Sequence, residues 1–174
     1  MPMTLLLGGA RSGKSTLAVR IARGWDAPVA FVATAVAGDE DMAARIARHR
    51  EERPASWTCV EEPLDLGGVL ERSADAAVIV DCLTVWAANL LERRTAVEAI
   101  AEAERIAAIA AARERPTVVV SNEVGLGVHP ATSSGREFRD VLGRVNTIWA
   151  AAADEARFLV AGRELELRPV RIDG

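Results

Sequence analysis

The stretch Gly8-Gly9-Ala10-Arg11-Ser12-Gly13-Lys14-Ser15 determines the expected fold. It matches the phosphate-loop pattern G-x-x-x-x-G-K-[ST] at every fixed position. The apolar run Leu5–Leu7 precedes it as a strand, and segment 16–22 follows with apolar residues at helical spacing. Glycines let backbone N–H groups turn inward, and the N-terminus of the new helix adds partial positive charge. The sequence therefore predicts a nucleoside triphosphate site.

Individual side chains near this loop have specific expected roles. Lys14 brings a positive charge to the β- and γ-phosphates, and the Ser15 hydroxyl is an expected Mg²⁺ ligand. The β-branched apolar run 76–80 reads as a buried strand, and Asp81 at its end is the second expected Mg²⁺ ligand. Ligands collect at the carboxyl ends of parallel strands, so Thr34, Ala35 and Val36 are expected to border the nucleotide.

Composition excludes several classes of function. The chain has 174 residues and a net charge of −4, with three Phe, four Trp and no Tyr. A nucleic-acid-binding protein needs a basic face or stacking aromatic residues, so neither DNA nor RNA is an expected partner. No apolar run is long enough to span a membrane. Cys59 and Cys82 lack any C-x-x-C pattern and are expected to be reduced, buried thiols of a cytoplasmic protein.

The order of patterns along the chain predicts an α/β fold. Strand-like and helical segments alternate, which favours one domain over residues 1–170 around a mainly parallel sheet, with a short tail at 171–174. A helix over 39–52 is expected to place Met42, Ile46, His49 and Arg53 on one face.

Two boundaries near the C-terminus are also predicted. Ser134 and Glu137 form a capping-box pattern at the start of the last helix. Gly162-Arg163 is expected to be the two-residue turn of a final hairpin.

Motifs along nearly the whole chain resemble the bifunctional adenosylcobinamide kinase and adenosylcobinamide-phosphate guanylyltransferase family of cobalamin biosynthesis. Their order and spacing make the resemblance specific. The segments are the phosphate loop, Asp41 to Ile46 through His49, Arg53-Pro54-x-x-Trp57, Asp81-Cys82-Leu83-Thr84, Asn89-Leu90-Leu91, Ser121 to Gly127, Phe138-Arg139-Asp140 to Asn146, and Ala152-Ala153-Asp154 with the final hairpin.

The resemblance implies a RecA-like P-loop domain with helices on both faces of the sheet, assembled as a homotrimer. It also implies two reactions. A nucleoside triphosphate (ATP or GTP) phosphorylates the aminopropanol hydroxyl of adenosylcobinamide. GMP is then transferred from GTP to that phosphate, which gives adenosylcobinamide-GDP and pyrophosphate. The resemblance places the nucleotidyl-accepting histidine at His49 and favours a contact of Glu61 with a guanine edge or a ribose hydroxyl.

Residue chemistry is consistent with these roles. A neutral imidazole is nucleophilic near pH 7 and can hold GMP as a phosphoramidate. Arg50 and Arg53 suit neutralisation of phosphate charge, although Arg50, Glu51 and Glu52 equally suit a solvated helix face. The catalytic candidates are His49, Lys14 and Asp81, and the nucleotide-binding candidates are Gly8, Gly9, Ala10, Arg11, Ser12, Gly13, Lys14, Ser15, Thr34, Ala35, Val36, Arg50, Glu51, Glu52, Arg53, Glu61 and Asp81.

Two alternative functions remain open from the sequence. A simple small-molecule kinase needs the phosphate loop and Asp81 but has no use for His49. A non-catalytic, nucleotide-dependent interaction module would bind nucleotide without turning it over. Within the kinase reaction, both Asp81 and Glu123 are candidates for the base.

Overall fold

In the described part of the chain seven strands form one sheet, and only the last of them is antiparallel to its neighbour. The computed structural model describes residues 3–35 and 54–170. The strands are β1 (Met3–Gly8), β2 (Val29–Ala33), β3 (Thr58–Glu61), β4 (Ala77–Asp81), β5 (Thr117–Val120), β6 (Glu155–Val160) and β7 (Arg163–Leu167). The described helices are α1 (Lys14–Ala22), α2 (Leu66–Arg72), α3 (Leu83–Leu91), α4 (Ala96–Ala111) and α5 (Ser133–Ala152).

The strand order across the sheet is β3-β2-β4-β5-β1-β6-β7. β1 therefore lies between β5 and β6, and it is buried along its whole length. A continuous apolar strand of this kind is typical of a parallel sheet that is covered on both faces. The observed sheet confirms the predicted mainly parallel α/β architecture and its C-terminal hairpin.

Helices cover both faces of the sheet, as predicted. Successive side chains of a strand point to opposite faces, so Leu6 packs with α1 while Leu5 and Leu7 pack on the other side. On that side Trp86 of α3 and Trp149 of α5 are completely buried. The larger core thus lies on the face opposite α1, and α1 is held against β1, β4 and β5.

Two predicted boundaries near the C-terminus are wrong by one or two residues. The N-cap of α5 is Thr132, whose hydroxyl accepts a hydrogen bond from Gly135 N at 3.1 Å, so Ser134 lies inside the first turn. The hairpin turn is Ala161-Gly162, because the pairing of Gly8 with Leu159 extends β6 to Val160, which pairs with Arg163. Both turn residues have positive φ, 51° and 71°, as a type I′ hairpin turn requires.

The expected burial of the cysteines is also wrong in part. Cys59 is exposed because it lies on β3, at an edge of the sheet, whereas Cys82 is half-buried after β4. Neither forms a disulfide. Within residues 3–35 and 54–170, none of the helices is long and apolar enough to cross a membrane.

Candidate active site

The carboxyl ends of four neighbouring strands lie in register at one edge of the sheet. Ala33 of β2 pairs with Glu61 of β3 on one side and with Asp81 of β4 on the other, and Asp81 pairs with Val120 of β5. Strands are spaced about 4.8 Å apart, so Asp81 lies roughly 10 Å from β1 and Glu61 roughly 19 Å from it across the sheet. The phosphate loop leaves β1 at this same edge.

The backbone of the phosphate loop adopts conformations that require glycine at two positions. Gly8 has a φ of +149°, and a Cβ built on it would lie 2.2 Å from the Leu159 carbonyl oxygen. Gly13 has a φ of +100° and is the N-cap residue of α1. No side chain caps this helix terminus, so its first N–H groups are available to an anion held by the loop.

Lys14 is held inside the loop by oxygen atoms of the loop itself. Its Nζ donates to the carbonyl oxygens of Gly8 at 2.8 Å and Gly9 at 2.6 Å, and to Ser12 Oγ at 3.3 Å. The residue is only 6% exposed. Its compact ammonium group can distribute three donors over three acceptors, so the positive charge is fixed at the centre of the loop.

Ser15 and Asp81 supply the donor types that Mg²⁺ prefers. Ser15 is in the first turn of α1 and is half-exposed, and α1 packs against β4, at whose end Asp81 lies. Within the described residues the half-buried Asp81 carboxylate forms neither a hydrogen bond nor an ion pair. A hydroxyl and an unpaired carboxylate are hard oxygen ligands, so the residues present fit the metal.

Thr34 ties the ends of β2 and β4 together. Its hydroxyl donates to the Cys82 carbonyl oxygen at 2.7 Å and accepts from Cys82 N at 2.9 Å. Asn89 of α3 donates to the Thr34 carbonyl oxygen at 3.0 Å and to that of Pro63 at 3.1 Å. Burial, and then the neighbouring Asp81 charge, raise the pKa of the Cys82 thiol. The hydrogen bonds of the buried Thr34 therefore fix the ends of β2 and β4 relative to each other beside the site.

The loop that follows β5 lies against the phosphate loop and is held by α5. Glu123 N donates to the Gly8 carbonyl oxygen at 3.1 Å. Asn146 of α5 accepts from Ser121 Oγ at 2.6 Å and donates to the Asn122 carbonyl oxygen at 3.0 Å. The Glu123 backbone thus lies next to Gly8, while its carboxylate accepts a hydrogen bond from Gly125 N. Glu123 and Asp81 stay the two predicted candidates for the base.

Sequence reasoning missed the positioning roles of Asn89 and Asn146. Asn89 is the one amide in an otherwise apolar stretch of α3, which was an available signal, whereas Asn146 has Arg144 and Thr147 close to it and carries no such signal. Several predicted site residues lie outside the described residues: Val36, His49, Arg50, Glu51, Glu52 and Arg53, together with the rest of the helix expected over 39–52. The tail at 171–174 lies outside them too.

A family model described as "Cobinamide kinase / cobinamide phosphate guanyltransferase" matches residues 4–167. The chain belongs to this family. It is 42% identical over 172 residues to the "Bifunctional adenosylcobalamin biosynthesis protein CobP" of Pseudomonas aeruginosa, an alignment that covers 94% of this chain and 96% of that protein. The predicted resemblance is therefore confirmed, and it extends over nearly the full length of both chains.

Solved structures outside the family share the fold. The assembled ATPase EscN of the enteropathogenic E. coli type III secretion system matches with a TM-score of 0.57 and 13% identity, covering 92% of this chain and 43% of that one. The RadB recombinase matches with a TM-score of 0.51 and 17% identity, covering 90% and 73%. These likenesses support the P-loop, RecA-like architecture and carry no information about the substrate.

Proposed function

We propose that this chain phosphorylates adenosylcobinamide with a nucleoside triphosphate and then transfers GMP from GTP to the product. The observation that carries the proposal is the phosphate loop with Lys14 at its centre, at the same sheet edge as the Asp81 carboxylate, in a chain of this family. In phosphoryl transfer little covalent chemistry falls to the protein, so positioning and charge stabilisation by such groups supply most of the catalysis.

In the kinase step the γ-phosphoryl group passes directly to the substrate hydroxyl. The loop N–H groups and Lys14 hold the triphosphate and stabilise the charge that develops on it. Ser15 and Asp81 would hold Mg²⁺, which supplies further neutralisation of phosphate charge when bound. The hydroxyl proton goes to a carboxylate, for which Asp81 and Glu123 are the two candidates.

In the transferase step His49 is the proposed nucleophile. An imidazole nitrogen attacks the α-phosphorus of GTP, so a P–N bond forms while the bond to the β-phosphate oxygen breaks and pyrophosphate leaves. A phosphate oxygen of adenosylcobinamide phosphate then attacks the same phosphorus and displaces the imidazole. The products are adenosylcobinamide-GDP and the regenerated histidine.

Mass analysis of purified protein incubated with adenosylcobinamide, ATP and GTP tests both reactions together. We expect adenosylcobinamide phosphate with ATP alone and adenosylcobinamide-GDP once GTP is added. Nucleotide binding without either product would contradict the proposal and favour an interaction module. Formation of adenosylcobinamide phosphate without adenosylcobinamide-GDP would favour a simple kinase.

Labelling with GTP that carries a labelled α-phosphate tests the histidine. We expect an acid-labile, base-stable adduct that His49→Ala abolishes, while nucleotide binding and kinase activity persist. His129, the other of the two histidines, provides a matched control because it is exposed and bonds Arg139. His129→Ala should retain the adduct. An adduct that survives His49→Ala would rule out this assignment.

A further inference from the structure

A cavity of about 490 Å³ opens between the phosphate loop, the outer face of α1 and the β6–β7 turn. Its volume falls within the range of about 300–1,000 Å³ that is usual for small-molecule sites. Ser12 and Gly13 line one end of it, and Thr16 and Arg20 of α1 form one wall. Arg163 belongs to the opposite wall. The predicted site residues do not account for this cavity beyond its end at the loop.

The cavity is continuous with the place where phosphates would bind. Gly162 N in the hairpin turn donates to the Ser12 carbonyl oxygen at 3.3 Å, so the turn contacts the phosphate loop directly. The uncapped N-terminus of α1 begins beside Gly13, and Thr16 follows one turn later along the cavity wall. A molecule with its phosphates in the loop therefore has this cavity next to its non-phosphate end.

The lining suits a flat, partly polar group. The floor is apolar, since Leu17 is 7% exposed and Leu159 3% exposed. Arg20 and Arg163 are exposed at the walls, and in the described part of the chain neither side chain forms a hydrogen bond or ion pair. Guanidinium groups stack on the faces of planar π-systems. Glu164, which pairs with Arg157 at 3.0 Å, adds an acceptor for ribose or base N–H and O–H groups.

We propose that this cavity receives the purine nucleoside of the triphosphate that donates its γ-phosphoryl group, an inference that rests on the proposed kinase function. The cavity lies on the β6–β7 side of β1, whereas Asp81 and Glu61 lie on the opposite side of β1, across β5, β4 and β2. Glu61 is roughly 19 Å from β1 across the sheet. A nucleoside in the cavity is therefore separate from Glu61, for which the family resemblance favours a contact with a guanine edge or a ribose hydroxyl of GTP in GMP transfer.

Comparing binding of ATP and of inorganic tripolyphosphate separates nucleoside contacts from phosphate contacts. The variants are Arg20→Ala, Arg163→Ala and Thr16→Trp, the last of which fills the cavity from α1, with Arg144→Ala on the exposed surface of α5 as the matched control. We expect each cavity variant to weaken ATP binding about tenfold or more, as loss of a stacked or excluded base would, with tripolyphosphate binding unchanged within about twofold. The proposal would be overturned if the cavity variants weakened the binding of ATP and of tripolyphosphate equally, or if they weakened neither.

Kinetics of the two half-reactions provide a second, independent measurement. The cavity variants should raise the KM for ATP in phosphorylation of adenosylcobinamide about tenfold, and leave the KM for GTP in GMP transfer to adenosylcobinamide phosphate unchanged. An equal rise in both constants would overturn the separate nucleoside position. If the parent protein makes no adenosylcobinamide phosphate, the proposed kinase function fails, and the comparison of ATP with tripolyphosphate still decides whether the cavity binds a nucleoside.

Discussion

Lys14 is the only lysine in the chain, in which all the other basic side chains apart from the histidines are arginines. Its Nζ donates to three oxygen atoms of the loop in a buried position, where a compact, freely rotating ammonium fits better than a larger planar guanidinium. The choice of lysine at this one position therefore follows from the geometry of the loop.

We expect Lys14→Ala to lower both half-reactions about 10²- to 10³-fold, because both need charge stabilisation on phosphates held in the same loop. Lys14→Arg should be nearly as inactive, since it keeps the charge but loses the three-acceptor geometry. Steady-state rates at saturating nucleotide and a circular dichroism spectrum of each variant check this. A folded Lys14→Arg protein with parental rates would show that charge alone suffices.

Asp81 is expected to matter for the metal rather than for folding. Its carboxylate forms no hydrogen bond or ion pair within the described residues, so Asp81→Asn removes no such partner of the fold. We expect the Mg²⁺ concentration for half-maximal activity to rise at least about tenfold, while the free energy of unfolding changes by less than about 0.5 kcal/mol. Titration of activity with Mg²⁺ and urea unfolding provide the two measurements.

Asp75→Asn is the matched control for Asp81, because it changes an exposed acid just before the same strand. It should leave the Mg²⁺ dependence as in the parent protein. If Asp81→Asn behaves like Asp75→Asn, Asp81 only ends β4 and is not a metal ligand.

α5 is the helix that positions the loop after β5. One of its faces packs Val145 and Trp149 into the core, and the adjoining face carries Asn146, which is only 6% exposed. Arg139, two turns earlier, bonds His129 at 2.7 Å near the far end of the same loop. One helix therefore fixes both ends of the segment that contains Glu123.

We expect Asn146→Ala to destabilise the protein by about 1–3 kcal/mol, since it leaves the Ser121 hydroxyl and the Asn122 carbonyl oxygen without their partner. It should also lower the kinase rate through the loosened Glu123. Urea unfolding of Asn146→Ala, Ser121→Ala and the double variant checks the energetic link. Additive losses in the double variant would mean that the two side chains are not coupled.

Sequence patterns predicted the elements better than their exact ends. The buried strands were legible because runs such as 29–33 and 77–81 are apolar and β-branched, and the phosphate loop because each of its fixed residues has a separate chemical task. The N-cap residue of α5 could not be predicted, because Thr132 and Ser134 offer the same hydroxyl chemistry two residues apart. The two residues are distinguished only in the folded helix, where the side chain of the N-cap residue accepts a hydrogen bond from a backbone N–H of the first turn.

Features that depend on the arrangement of the whole sheet could not be predicted locally. The position of the hairpin turn depends on the pairing of Gly8 with Leu159, two residues that are far apart in sequence. The exposure of Cys59 follows from the edge position of β3. The cavity beside Arg163 exists because β6 and β7 lie next to α1. No local sequence pattern predicts that these elements, which are distant in sequence, lie next to each other.

The phosphate loop joins parts of the molecule that are distant in sequence, so a bound nucleotide should stabilise the entire fold. β1, α1, the β6–β7 turn and the segment at Glu123 all contact it through hydrogen bonds or chain continuity. At a free nucleotide concentration of 100 times Kd, ligand that binds only the native state adds about 2.7 kcal/mol to the free energy of unfolding. For a chain of this length that corresponds to a Tm rise of roughly 5–10 °C.

Thermal unfolding over a series of Mg²⁺-GTP and Mg²⁺-ATP concentrations measures this stabilisation. We expect Tm to rise with the logarithm of nucleotide concentration above Kd in the parent protein, and to stay nearly constant for Lys14→Ala over the same range. Tripolyphosphate should give a smaller rise at equal concentration, because it engages the loop without the nucleoside. A Tm that rises equally in the parent and in Lys14→Ala would place the nucleotide away from the phosphate loop, since that stabilisation could not depend on the ammonium at its centre.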